Sequence, residues 1–297
     1  MSFPLRCVAG LSLALLLAAC ATTPDTVAPT PSKPRAASPD WLTDVTVMSS
    51  REANGGRREY LQQRLEGIGL QPREQAFSSG ELNGSNLLVD VSGPADAPLL
   101  LLGAHFDRVD AGQGATDNAS GSAVVLALAE RFARKPLQRH RLAVAFWDLE
   151  ERGLLGARAF VAEPSAHPAL YVNFDVFGWG DSLWMMSRDA EHPLVIASRE
   201  AGAAQGLALS AGDQYPPTDH QAFLAAGVPA VSYSLVDAVE IAGILDIFAG
   251  KPPALAPKVM QVIHSERDTV EHVDAADVAR GIDAVEAALR RWDAQAD

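Results

Sequence analysis

Cysteine is nearly missing from this chain. Its 297 residues hold two, Cys7 and Cys20, both at the N-terminal end. Everything after them lacks the means for a disulfide framework, so the body must be held by packing alone. Basic residues are also short: 24 Lys and Arg stand against 37 Asp and Glu, a net charge of −13. Nucleic acid as a partner is excluded on that balance, because phosphate binding needs clustered cations. Broad contact with anionic lipid heads is excluded for the same reason. No internal repeat is present, and no low-complexity tract follows position 40. What the chain does have is apolar content, 48% hydrophobic with 21% charged, enough for a large core and too much for a disordered chain.

The N-terminal end reads as a targeting segment. Met1 to Arg6 carries one positive charge, and Cys7 to Ala19 is an apolar run too short to span a bilayer comfortably. It ends Leu17-Ala18-Ala19-Cys20, which resembles a bacterial lipobox, with Cys20 as the lipid attachment point. The expected organisation is a lipoprotein signal peptide over 1–19, a Pro/Thr/Ser-rich tether over 20–40, and a catalytic domain over 41–297. The implied location is the cell envelope outside the cytoplasm, with the lipid anchor as the sole membrane contact. Ala21 after the cysteine resembles a signal for an outer membrane.

From Trp41 onward strand-like and helical runs alternate, which predicts an α/β class with a mixed sheet between helical layers. Arg57 to Ile68 has helical spacing and stops at Gly69. Ser85 to Val91 and Pro98 to Ala104, divided by Gly93-Pro94, are expected to pair as strands. Asp117 to Ala133 predicts a small-residue helix, Arg141 to Trp147 a strand, and Leu154 to Ala162 a helix. Ala169 to Phe174, Leu183 to Ser187 and Val228 to Leu235 predict strands. Pro193 to Ala204 is expected to be helical, and Ala275 to Trp292 an amphipathic helix. Val236 to Lys258 is apolar but broken by Gly and Pro, and reads as a lid or pocket wall. Trp179 and Trp184 belong to the core or shape a pocket. His140, His167, His192 and His272 sit beside Arg, Pro or Glu and are expected at the surface.

Five residues of metal-binding type each follow an apolar, strand-like run. They are His105 in L-L-L-L-G-A-H-F-D, Asp117 in G-A-T-D-N-A-S-G, Glu151 in A-F-W-D-L-E-E, Asp175 in Y-V-N-F-D and His264 in V-M-Q-V-I-H. Strand ends are where open α/β sheets place their chemistry. Two imidazoles and three carboxylates exceed what one tetrahedral zinc takes. If Asp117 bridges, the set divides into two ions with three ligands each. Asp117 also suits a helix N-cap, and both roles can hold together. Asp107 is placed to accept the second ring N–H of His105. Glu150 and Glu151 repel each other at a strand end unless a cation compensates, which leaves one free as a general base.

In order, the segments G-A-H-F-D, G-A-T-D-N-A-S-G, E-E-R-G-L-L-G-A, N-F-D-V-F-G, T-D-H-Q-A-F-L-A-A-G-V-P and H-S-E-R-D-T resemble the co-catalytic zinc aminopeptidases of the bacterial leucyl aminopeptidase type. Their wider relatives include glutamate carboxypeptidase and glutaminyl cyclase. The resemblance implies a three-layer α/β/α sandwich around a mixed, mainly parallel sheet. It implies that His105 and Asp175 hold one zinc, that Glu151 and His264 hold a second, and that Asp117 bridges them, with Mn or Co as substitutes. It makes Glu150 the general base and Asp107 the orienting carboxylate. Asp219 and His220 would line the site, with Asp219 either a group behind the ligands or a proton relay, and Asp268 would lie near His264. The implied substrates are peptides with a free N-terminus; oligomeric state is unreadable. Asp148 and Thr218 depart from the usual aminopeptidase pattern, and Asp148 with Asp219 keeps a single-zinc glutaminyl cyclase as the alternative. A metal-free binding lipoprotein is a third reading.

Overall fold

Apolar residues that occupy consecutive positions of a strand point to opposite faces, and both faces then need cover. The computed structural model describes residues 39–163 and 167–295. The expectations for the signal peptide, for Cys20 and for almost all of the tether lie outside the described residues. Two helices lead, α1 (Pro39–Ser49) and α2 (Asn54–Gly67), followed by strands β1 (Arg73–Ser79), β2 (Leu82–Ser92) and β3 (Leu99–His105). An irregular turn at Ala115–Ala119 leads into α3 (Ser120–Arg134), β4 (Arg141–Trp147) and α4 (Leu155–Val161). Next come β5 (Leu170–Phe177), β6 (Ser182–Met186), α5 (Pro193–Ala204), β7 (Ala208–Gly212), α6 (His220–Ala225) and β8 (Ala230–Val236). The chain closes with α7 (Ala238–Phe248), α8 (Lys258–Val262) and α9 (Ala275–Gln295).

The eight strands form one sheet in the order β1-β2-β4-β3-β5-β8-β6-β7. β4, β3, β5 and β8 are mutually parallel, while β1, β2 and β6 pair antiparallel on their inner sides. Alternation divides the core in two. Leu100, Leu102, Val144, Phe146, Val172 and Phe174 face the larger apolar layer with residues of α1, α2, α3, α5 and α9. Leu101, Ala143, Ala145, Trp147 and Tyr171 face the other layer with α4 and α6. This is the expected three-layer architecture around a mixed sheet.

One strand pairing differs from expectation. β2 and β3 are not neighbours, because β4 lies between them, with Val144 opposite both Val89 and Leu102. The Gly93-Pro94 segment is therefore a crossing rather than a hairpin. It passes over the start of β4 so closely that a Cβ on Gly93 would meet Arg141 Cα at 2.6 Å. The crossover through α3 delivers β4 parallel to β3, the usual outcome for a strand–helix–strand unit.

Further differences concern single elements. α1, β1, β7 and α6 had no clear signal, and the run before His264, expected to be strand-like, is the helix α8. Val236 to Lys258 lines the cleft as the expected wall, but it does so through the well-formed helix α7 instead of an irregular stretch. His140 is 6% exposed instead of lying at the surface. Its ring stacks on Trp292 and bonds to Asp293, which also accepts the N–H groups of Gln138, Arg139 and His140. Among the described residues no helix is long and apolar enough to cross a membrane.

Candidate metal centre

The parallel strands all end on one side, and their ends carry the chemistry. His105 is the last residue of β3 and pairs with Trp147, the last of β4, so Glu150 and Glu151 follow directly beside it. Asp175 sits near the end of β5. Asp117 lies in the turn before α3, with φ −118° and ψ 95°, outside helical geometry. It is not the cap of α3, which begins at Ser120. The Asp117–Asn118 peptide is cis. Asn118 is locked behind it, donating to Phe174 O at 2.9 Å and accepting the Gly121 N–H at 2.9 Å.

His105 Nε2 lies 3.1 Å from Asp117 Oδ1 and 3.4 Å from Asp175 Oδ1. On the other side His264 Nε2 lies 3.1 Å from Asp117 Oδ2 and 3.1 Å from Glu151 Oε2. Two three-residue groups result, sharing Asp117, with the potential ligand atoms of each within 4.8 Å of one another. Asp117 Oδ1, Glu151 Oε1 and Asp175 Oδ1 are buried and accept no well-formed hydrogen bond, the His105 ring nitrogen being shared between the two Asp oxygens at ion-pair distance. Buried carboxylate oxygens left unpaired are costly unless a cation neutralises them, so the donor set fits metal ions. Leu149, Val176 and His264 adopt φ between 55° and 59°, the left-handed region that non-glycine residues avoid. Strain of this kind, at His264 itself, next to Asp175 and two residues before Glu151, marks a site over-determined by its surroundings.

Behind the donors stands a row of carboxylates that position them. Asp107, 1% exposed, lies 3.3 Å from His105 Nδ1 through Oδ1. The same side chain accepts the backbone N–H groups of Glu150 at 3.0 Å and Glu151 at 3.2 Å. Asp268 accepts the N–H groups of Thr116 at 2.6 Å and Asp117 at 3.1 Å. Arg57 is fully buried and donates to the carbonyls of Phe106, Gln113 and Gly114, pinning the loop between two donors. Neither Arg57 nor these backbone bonds had a signature in the sequence.

Burial would lower the His105 imidazole, yet Glu150, Asp175, Asp107 and Asp117 raise it well above its ordinary value. Bonds from Asp117 and Glu151 push His264 up to about 10. Burial would raise Asp117, but the two imidazoles hold it below the usual carboxylate range. Burial, followed by Asp219, Asp175 and Asp117, pushes Glu150 up to about 10 against the pull of His105. Glu151 is raised by burial and by Asp117.

His105, Asp117, Glu150, Glu151, Asp175 and His264 all line one cleft, whose empty space, mouth included, is about 640 Å³. That lies within the range of small-ligand sites. Asp107, Asp219, His220 and Asp268 do not line it. Asp219 is fully buried with neither oxygen partnered, and burial drives it well above the carboxylate range. His220 faces a neighbouring hollow with Arg188 and Gln221, and burial followed by Arg188 holds it down at about 4. Asp148 braces β2 instead, accepting the Ser85 N–H at 3.0 Å. The opposite wall is apolar, formed by Trp184, Ile244, Phe248, Val259 and Met260 with Tyr215 beside them. Tyr215, absent from the expected set, is linked through Ser234 to the Asp175 carbonyl.

The model of peptidase family M28 matches residues 86–289. Leupeptin-inactivating enzyme 1 of Streptomyces exfoliatus is 34% identical over 188 residues, 58% of this chain and 43% of its own. The probable lipoprotein aminopeptidase LpqL of Mycobacterium tuberculosis is 27% identical over 219 residues, 66% of this chain and 43% of its own. This chain therefore spans less than half the length of either relative. Among solved structures, the LapA aminopeptidase of Legionella pneumophila has a TM-score of 0.68 at 17% identity, over 87% of this chain and 72% of its own. A glutaminyl cyclase of Porphyromonas gingivalis has a TM-score of 0.68 at 17% identity, over 84% of this chain and 96% of its own. At such identities the likeness is one of fold, and the fold is common to both activities.

Proposed function

The chain belongs to peptidase family M28, and from that footing we propose that it is a zinc-dependent exopeptidase that removes single N-terminal residues from peptides. The observation that carries this reading is the pair of donor groups sharing Asp117 with Glu150 beside them in the same cleft. His105 and Asp175 would hold one zinc, Glu151 and His264 another, and Asp117 would bridge. When bound, zinc supplies Lewis acidity towards a water and a carbonyl oxygen.

The residues divide the remaining work. Glu150 accepts a proton from the attacking water at a carboxylate oxygen as the new C–O bond forms. It then returns that proton to the nitrogen of the leaving amine as the C–N bond breaks. Burial first, and then Asp219, Asp175 and Asp117, raise the proton affinity of Glu150. With Asp175 and Asp117 offset by cations, it would fall again towards the range in which a carboxylate takes up and returns a proton. Asp107 orients the His105 ring and holds the backbone of Glu150 in place. The carboxylates that line the cleft, Glu150, Glu151 and Asp175, offer counter-charge to a free α-amine, and the apolar wall faces the side chain that follows it.

The relative described as a probable lipoprotein aminopeptidase and the Ala19-Cys20 junction together support a lipid-anchored protein of the cell envelope. Cys20 would carry the lipid, on the outer membrane where the organism has one.

Metal content by mass spectrometry, with assays on aminoacyl anilides and on N-terminal glutaminyl peptides, tests the activity. Two ions with anilide cleavage is the expected result. One ion with ring closure of the glutaminyl peptide would replace this reading by a cyclase. No metal and no turnover would leave a binding protein.

A further inference from the structure

The apolar wall of the cleft is not part of the two layers that sandwich the sheet. It is a separate cluster in which Trp179, Trp184, Ile241, Ile244 and Val259 pack together. A small cluster built under connecting segments has little to hold its shape beyond its own contacts. Two devices brace this one. Gly243 lets the strap after α7 cross back over the helix, where a Cβ would meet Leu255 O at 2.7 Å and Pro257 Cγ at 3.0 Å. The second device is a buried acid.

Glu240 is 4% exposed, one turn before Ile244 on the same face of α7. One carboxylate oxygen accepts the Trp179 indole N–H at 3.3 Å, and the other accepts the Val259 backbone N–H at 2.8 Å. Val259 lies in the first turn of α8, where backbone N–H groups have no partner within the helix. Lys258 sets its ammonium 3.7 Å from the centroid of the Trp179 ring, adding a cation–π contact to the same joint. Both oxygens of Glu240 are thus used inside the wall, and its side chain does not line the cleft. α7 contributes Ile244 and Phe248 to the cleft and α8 contributes Val259 and Met260, so the acid joins the two halves of the surface that a substrate side chain meets.

Resting on the exopeptidase reading above, we propose that Glu240 is a positioning residue for substrate selection, tying α7 to α8 and Trp179 so that a large apolar N-terminal side chain fills the cleft. It takes no part in bond cleavage. Loosening it costs contacts that a leucyl side chain makes and an alanyl side chain never reaches.

The test uses the full chain, loaded with zinc, as wild type, Glu240→Ala and Glu240→Gln. kcat and KM are measured on leucyl- and alanyl-p-nitroanilide. Binding of L-leucinol and L-alaninol is followed separately by tryptophan fluorescence. Apolar pocket contacts of this size discriminate by about tenfold or more. Glu240→Ala is therefore expected to raise KM for the leucyl substrate about tenfold, with kcat and the alanyl parameters moving less than about twofold. Glu240→Gln keeps the volume and one acceptor oxygen but turns its amide against a donor. The same substrate-dependent split is expected at smaller size, which preserves the test if the alanine variant does not fold. An equal loss on both substrates, or no loss on the leucyl one, overturns the proposal. A wild type that binds leucinol no better than alaninol overturns it as well. A wild type that prefers leucinol yet cleaves neither anilide leaves the wall standing and removes the exopeptidase reading instead.

Discussion

Replacing Asp107 by Asn is the sharpest perturbation of the candidate metal centre, because the side chain keeps its shape but loses its charge and one of its two acceptor oxygens. One carboxylate oxygen faces two donors, His105 Nδ1 at 3.3 Å and the Glu150 N–H at 3.0 Å, and the other faces the Glu151 N–H at 3.2 Å. An amide can point its oxygen at only one of these sides. Its NH2 then meets an N–H, and at least one buried donor is orphaned, at a cost of about 1–3 kcal/mol. The His105 ring is not wholly abandoned, since the Asp107 carbonyl lies 3.2 Å from Nδ1. The stress therefore falls on the Glu150–Glu151 backbone as much as on the ring. At 1.4 kcal/mol per factor of ten, zinc affinity or turnover should fall by about 10- to 100-fold, the usual effect of removing a partner that orients a metal ligand. Competition with a chromogenic chelator measures the affinity, and anilide turnover at saturating zinc measures the activity. Unchanged values for both would refute the assignment of Asp107 as the residue that aims this row.

Glu150→Gln should retain both metal stoichiometry and fold while turnover drops by about 10²- to 10⁴-fold, the span of a general base; full activity would remove the assignment. Gly121→Ala places a Cβ 2.3 Å from Asn118 Oδ1 and 2.5 Å from Phe174 O. A destabilisation of about 1–3 kcal/mol is expected, read as a lower midpoint in urea. For Asp293, burial would raise the carboxyl, but the N–H groups of Gln138, Arg139 and His140 and the His140 ring hold it below its ordinary 3.8. A depressed acid stabilises the fold above its unfolded value and loses that contribution as pH falls through the folded one. The stability gap between wild type and Asp293→Asn should therefore be constant above about pH 4 and shrink below it, as followed by thermal melts across pH. Cys20→Ser should abolish membrane association in fractionated cells without altering turnover of the purified protein, and retention in the membrane fraction would refute the anchor.

Local chemistry determined much of this protein before any tertiary contact was considered. β4 and α5 have the expected bounds because an unbroken apolar run and a proline at the first helical turn act within a few residues. The five metal-type residues were legible for the same reason, each being a polar side chain that ends a buried run. His105, Glu151 and Asp175 converge because parallel strands end on one edge of the sheet, while Asp117 arrives from the turn before α3 and His264 from just after α8. What separates neighbours in sequence was not legible in the same way. β4 between β2 and β3, the bonds from Asp268 back to Thr116 and Asp117, and the capture of His140 by Asp293 all join segments distant along the chain. Local propensity carries no information about which distant partner a backbone N–H will meet. The segment from Val236 to Lys258 shows the boundary most clearly. Its glycines and prolines mark breaks that predict a lid or wall, yet the crossing over Gly243 and the joint at Glu240 that hold the wall together are tertiary. Those contacts exist because burying an apolar cluster beside the cleft requires its polar backbone groups to find partners there.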